Sequence, residues 1–207
     1  MSKLNFKREN AINVFNQWAQ TGKDEGMKKN HFPAFEEAKK TIKQFSKNKK
    51  NTTLADVGCG NGWATYDLNA EGFIDKATGY DGSLEMVQKA KKTYPGLEFF
   101  KMDLNNWNPK QTFDIIYSME AIYYLNSPEN FISETLRVLK PGCAAIIQTP
   151  NWRYSFKDFY NDYPHVRPYT PRSLNSLLIH QGFQSVYSFP NLRCKSKFFY
   201  TNKFAFS

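Results

Sequence analysis

The residues with the plainest chemical reading sit in one heptapeptide, Asp56-Val57-Gly58-Cys59-Gly60-Asn61-Gly62. A short strand pattern, residues 54–57, runs into three alternating glycines and then into a helical pattern. Glycine permits positive φ and lets a ligand approach the main chain closely. At the carboxyl end of the first strand of a doubly wound sheet, this turn lies where ligands bind. Asp81 follows Gly58 by 23 residues, at the end of the next strand pattern. A carboxylate about 20 residues after such a loop accepts hydrogen bonds from ribose hydroxyls. The glycine spacing also separates one ligand from another. A dinucleotide loop, GxGxxG, requires glycine at position 63, which is Trp63, and no GxxxxGK[ST] phosphate loop occurs. The pattern fits a ribose-bearing ligand without a pyrophosphate.

The elements that must position these residues alternate along the chain. Helical patterns cover 63–69, 83–93, 128–140 and 170–181; strand patterns cover 77–80, 97–102, 113–118 and 144–149. Two last strands are expected near 184–188 and 197–204. Ser83 and the Ser127-Pro128 pair supply helix starts, and Pro95-Gly96, Pro141-Gly142 and Gly182 supply stops. Such alternation predicts an α/β fold, a mostly parallel sheet with helices on both faces. Ahead of it, Ala11, Phe15 and Trp18 form one amphipathic stripe, and Phe35, Ala38, Ile42 and Phe45 another behind Pro33. The polar stretch 21–30 reads as the loop between them.

Composition narrows the function classes. The chain has 207 residues, 41% hydrophobic and 23% charged, which predicts one globular domain. No apolar run approaches the roughly 20 residues of a membrane helix, and residues 1–20 lack the apolar core of a secretory signal, so the cytoplasm is the expected location. Three scattered cysteines and three histidines support neither a disulfide framework nor a metal centre. The net charge of +9 leaves nucleic acid open as a partner. However, the basic set is 22 Lys against 6 Arg, beside 19 Asn, which also suits an A/T-rich genome.

Together, residues 56–62, Asp81 and the stretch Leu-Arg-Val-Leu-Lys-Pro-Gly at 136–142 resemble class I S-adenosylmethionine-dependent methyltransferases, closest to the small-molecule branch of ubiquinone and menaquinone biosynthesis. The resemblance covers roughly residues 54–207. It implies a Rossmann-like three-layer sandwich with a seven-stranded sheet in the order 3-2-1-4-5-7-6, strand 7 antiparallel. Residues 1–50 would form an N-terminal helical cap on a core of residues 51–207, the whole chain, 1–207, being one domain. It implies S-adenosylmethionine as cofactor, S-adenosylhomocysteine as product, a small-molecule acceptor and no metal. The matching cofactor positions are Asp56, Gly58, Cys59, Gly60, Gly62, Asp81, Gly82, Ser83, Met86, Met102, Asp103, Leu104, Ser118 and Met119. Asp56 stands where the family holds the amino group, Asp81 at the ribose and Asp103 at the adenine amino group.

Methyl transfer from a sulfonium is an in-line displacement, so the protein mainly aligns the reactants and excludes water. An oxygen or carbon acid also needs a base. The candidates for catalysis are His165, Tyr123 and Glu120. Tyr124, Trp152, Tyr160, Arg167 and His31 are candidates for acceptor binding. Six aromatic residues fall within 151–163, with Trp152, Phe156, Phe159 and Tyr163 at helical spacing; a covering helix is expected there, inside a substrate lid over 151–170. Glu25, Met27 and His31 would face the site if the cap folds over it. The segment after strand four lacks the Asn/Asp-Pro-Pro-Tyr run of base-amino methyltransferases, which argues against base methylation; the net charge of +9 keeps an RNA or protein acceptor as the alternative to a small molecule. The absence of an obvious base keeps a non-catalytic partner subunit as another reading. The assembly is expected to be a monomer or a homodimer.

Overall fold

The structure, a computed structural model, describes residues 10–191. Five parallel strands form one sheet: β1 (Thr53–Val57), β2 (Lys76–Asp81), β3 (Glu98–Lys101), β4 (Phe113–Met119) and β5 (Leu139–Gln148), in the order β3-β2-β1-β4-β5. This is a Rossmann-like α/β arrangement. Both faces are covered, so β4 reads Ile115-Ile116-Tyr117 with none of the three exposed. Alternation sends Ile115 and Tyr117 to one side, where they meet Phe35, Ile42, Trp63 and Leu68 of α2 (Met27–Ser46) and α3 (Trp63–Ala70). Ile116 faces the other side, with Trp107, Phe131, Ile132 and Val138 around α5 (Pro128–Val138). The register aligns Asp56 with Gly79 and Tyr117, so β1, β2 and β4 end together at one edge of the sheet.

The chain begins with α1 (Ala11–Thr21), capped by the Asn10 side chain, followed by a 3-10 turn, Lys23–Gly26. Helix α2 starts at Met27, not behind Pro33, so the expected loop 21–30 is ordered structure. Pro33 removes only the hydrogen bond to the Lys29 carbonyl, and both residues lie on the exposed side of the helix. Helix α4 (Leu84–Thr93) starts at the Ser83 cap as expected. Helix α5 stops at Val138 instead of 140, because Leu139 turns extended and β5 begins there.

Two expectations fail in the described residues. The covering helix of 152–163 is one turn, α6 (Trp152–Ser155), followed by a 3-10 turn, Phe159–Asn161. Burial of Phe159 and His165 draws the chain into the core and breaks the helical run. Residues 184–188 form no strand. Their expected partner, 197–204, lies outside the described residues. Helix α7 (Pro171–His180) is the last regular element among the described residues and starts at a capping box of Thr170 and Ser173.

Candidate active site

The cleft opens at the carboxyl ends of β1, β2 and β4. The glycine loop is anchored from below: Gly58 and Cys59 donate their N–H groups to the Tyr80 carbonyl at 2.8 and 3.1 Å, tying β1's end to β2. Gly58 has φ +85°, and a Cβ there would lie 2.6 Å from the Ala121 Cβ. Only glycine satisfies both demands. Gly62, at φ +82°, packs inward, where a Cβ would meet the Phe99 ring at 2.7 Å. The inward side of Gly62 therefore serves helix–strand packing.

Asp81 ties the loop together. One carboxylate oxygen accepts the Gly60 N–H at 2.9 Å and the other the Ser83 N–H at 2.8 Å. Burial pushes its pKa up, and the two N–H donors oppose that shift. Asp56, one strand over, is buried and accepts the Thr65 hydroxyl at 2.7 Å. Burial first, and the Asp81 charge after it, push Asp56 up to about 7. Burial likewise pushes the Cys59 thiol up.

The remaining cofactor candidates divide. Gly82, Ser83, Asp103, Leu104 and Met119 line the cleft. Asp103 caps a 3-10 turn, Leu104–Asn106, accepting both the N–H and the side-chain amide of Asn105 through one oxygen. Met86 and Ser118 are fully buried and off the cleft wall, and Met102 takes the Asn108 N–H on its sulfur. Helix and strand periodicity turns Met86 and Ser118 into the core, and the half-buried Met102, just past β3, packs against it.

The N-terminal segment closes one side. The Asn16 side-chain oxygen accepts the Ser83 hydroxyl at 2.7 Å and the Glu85 N–H at 3.3 Å. Ile12 packs against Gly82, and the Met27 methyl lies 3.1 Å from where a Gly60 Cβ would stand. Asp24, with 0% of its surface exposed, accepts the Asn61 side-chain amide and the Lys89 ammonium, each at 2.8 Å. This carboxylate links the 3-10 turn, the glycine loop and α4. Sequence reasoning missed Asn16 and Asp24; a buried acid in a run of Lys, Asp, Glu and Gly carries no pattern of its own. Glu25, in contrast, is mostly exposed.

The far wall is aromatic. Glu120 follows β4 at φ +56°, outside the usual range for a side chain of this kind, and its carboxylate accepts the Tyr123 hydroxyl at 3.2 Å. Tyr124 stands edge-on to Phe15 of α1 at 5.2 Å. His165 is buried against both tyrosines: its Nδ1 faces the Phe159 carbonyl oxygen, and its Nε2 lies 3.3 Å from the Tyr124 hydroxyl. Burial lowers the His165 pKa, with the Phe159 carbonyl and Asp162 opposing. His31 lines the cleft from α2.

Three acceptor candidates lie elsewhere. Trp152 packs into the core against Phe159 at 5.8 Å. Tyr160 is 57% exposed beside it, off the cleft wall. Arg167 bonds Glu129 at 2.7 Å on the surface, because the 3-10 turn before it carries the chain past the cleft. Among the described residues no cluster of three or more His, Cys, Asp or Glu side chains could hold a metal ion.

Residues 30–188 match a family described as a methyltransferase domain. The chain belongs to that family. It is 31% identical over 100 residues to the trans-aconitate 2-methyltransferase of Escherichia coli strain 55989, an alignment covering 48% of this chain and 40% of that protein. The chain thus spans well under two thirds of the curated relatives it matches. A chain in the complex of the Haloferax volcanii Trm112 methyltransferase activator with its methyltransferase superposes with a TM-score of 0.68 at 26% identity, covering 81% of this chain and 75% of that one. The plantazolicin methyltransferase BpumL, solved with a pentazolic desmethyl-plantazolicin analogue and S-adenosylhomocysteine, shares the fold at TM-score 0.64 and 18% identity, covering 82% of this chain and 75% of that one.

The residues present fit S-adenosylmethionine. Each Asp81 oxygen spends one acceptor site on a backbone N–H and keeps another for a ribose hydroxyl. Asp56, poised to ionise near neutrality, suits a cationic amino group at the head of the loop.

Proposed function

We propose that the protein transfers the methyl group of S-adenosylmethionine to a small-molecule acceptor and releases S-adenosylhomocysteine. One observation carries this reading: the Asp81 carboxylate is fixed by the N–H groups of Gly60 and Ser83 beside the glycine loop, which supports Asp81 as the acid that would bind the ribose. Gly58, Gly60 and Asp56 would hold the methionine end, Asp81 and Ser83 the ribose, and Asp103 and Leu104 the base. The cofactor supplies an activated methyl group; the chain's own residues bind, orient and exclude water. Phe15, Met27, Tyr123 and Tyr124 supply the apolar cover.

The cap supports a small acceptor. Asn16 bonded to Ser83, and Met27 set against Gly60, roof the loop where a polymer would need open access. The curated relative named for trans-aconitate also acts on a small molecule, by its name. Placement in the ubiquinone and menaquinone branch, and the seven-stranded sheet with order 3-2-1-4-5-7-6, go with this reading and rest on the 136–142 motif and the five strands already in that order.

The test uses S-adenosylmethionine with a labelled methyl group and source-cell extract separated into metabolite, lipid, RNA and protein fractions. Asp81→Asn is the control. Label among metabolites or lipids that vanishes in the variant is the expected outcome. Label in RNA or protein would transfer the reading to a polymer acceptor, and no label despite cofactor binding would leave a partner subunit.

A further inference from the structure

We propose that Tyr124 and His165 form a proton-accepting pair, and that the acceptor presents a protonated hydroxyl to Tyr124. The inference rests on the methyl-transfer reading of the same cleft and names the group to be methylated.

The geometry defines the pair. His165 Nδ1 faces the Phe159 carbonyl oxygen, which can only accept, so Nδ1 carries the proton. Nε2 is then the basic nitrogen, and it lies 3.3 Å from the Tyr124 hydroxyl, which donates to it. Tyr124 in turn lines the cleft beside Glu120. The same Nε2 lies 3.9 Å from an Asp162 carboxylate oxygen, and the Asp162 side chain is 71% exposed. A path therefore runs from the cleft through the Tyr124 phenol to Nε2, and from Nε2 to an exposed carboxylate. The titratable groups around His165 are Tyr123, Tyr124 and Asp162, with Glu120 one hydrogen bond beyond Tyr123. Burial keeps the imidazole neutral and ready to receive a proton at neutral pH.

The balance is closed. As the acceptor oxygen bonds the methyl carbon, the carbon–sulfur bond breaks and its electron pair stays on sulfur. The acceptor's proton moves to the Tyr124 oxygen while the Tyr124 proton moves to His165 Nε2. The positive charge lost by the sulfonium appears as imidazolium, held by the Phe159 carbonyl and the Asp162 carboxylate. His165 then releases the proton to solvent. An amine would need no such pair, because it arrives with a free electron pair and sheds its proton after transfer. Tyr124 is the catalytic residue here, and His165 acts through it as a positioning and proton-holding residue.

The first measurement needs no cofactor. Imidazole NMR of the full chain, with His165→Gln to assign the signal among three histidines, reads the tautomer and its titration. Nδ1–H is expected. Tyr124→Phe removes the donor that stabilises neutral Nε2, so the His165 pKa should rise and the Nε2 shift should move. An Nε2–H tautomer, or a signal indifferent to Tyr124→Phe, overturns the pair.

The second measurement uses the labelled-methyl assay on the fraction that takes Asp81-dependent label. Tyr124→Phe and His165→Gln should lower kcat by about 10²-fold or more at neutral pH with KM for S-adenosylmethionine little changed. Raising the pH should restore the variants as the acceptor ionises unaided. Carbon NMR of the product should show an O–CH3 group. An N–CH3 product, or full kcat in both variants, sinks the pair while the methyl-transfer reading stands. If no fraction takes label, that reading falls, and this inference falls with it.

Discussion

Asp24 offers the sharpest test of how the N-terminal segment is held on the cleft. Its buried carboxylate accepts the Asn61 amide and the Lys89 ammonium, while the Lys89 side chain is 30% exposed. The two partners therefore respond differently to loss. Asp24→Ala removes two charge-assisted hydrogen bonds, nominally about 1.5–3 kcal/mol each, but the half-wet Lys89 ammonium recovers water, so the net cost should be about 2–3 kcal/mol. Lys89→Met leaves a buried carboxylate without its cation and should cost about 3–5 kcal/mol, although Lys89 is the more exposed residue. The double variant Asp24→Leu with Lys89→Met should recover most of that cost, because no buried charge remains. Lys23, Lys28 and Lys29 flank Asp24 and are exposed, so trypsin reads the open cap directly. A 3 kcal/mol loss raises the open population by about 10²-fold, since each 1.4 kcal/mol is tenfold. Cleavage should rise in the order wild type, double variant, Asp24→Ala, Lys89→Met. Lys89→Met cleaving no faster than wild type would show that the buried carboxylate does not depend on that cation.

Further outcomes follow from the same cleft. Burial raises Asp56 from 3.8 to about 7, so the folded, cofactor-free protein holds a proton the unfolded chain has lost between about pH 4 and 7. Its stability should fall as pH rises through that window; Asp56→Asn should flatten the dependence and stabilise the free protein above pH 7 while weakening cofactor binding, and urea midpoints across pH that match wild type would count against the buried acid. Gly58→Ala combines a left-handed backbone with a 2.6 Å approach to Ala121 and should cost about 2–5 kcal/mol in urea unfolding. Adding Ala121→Gly should return the packing share but not the backbone share; full recovery would show that φ carries no penalty there. Arg167→Ala breaks an exposed ion pair with Glu129 and a side-chain contact with Tyr169, so stability should change by about 1 kcal/mol, and calorimetry should find cofactor affinity unaltered. A large loss of affinity would return Arg167 to the site.

What the sequence made legible is what local rules encode. The glycine loop, the Ser83 cap and the strand–helix alternation each follow from residues within a few positions of one another, and Asp81 from a fixed spacing of 23 residues behind Gly58; the five observed strands and their parallel pairing match that reading. Periodicity misled wherever tertiary burial overrode it. The aromatic spacing in 152–163 looks helical, yet Phe159 and His165 turn into the core under Tyr123 and leave one helical turn. The stretch 21–30 looks like a solvated loop by composition, yet Asp24 is its deepest residue, because Asn61 and Lys89, 37 and 65 residues away, meet it there. The pairing of Tyr124 with His165, 41 residues apart, is of the same kind. In each case the partner that explains the residue comes from a distant element, and single-sequence patterns carry no such information. The loop that would bind the cofactor and the strand that presents it are local inventions; the cap that encloses the cleft and the far wall that would do acid–base work arise only when remote segments are brought together by the sheet.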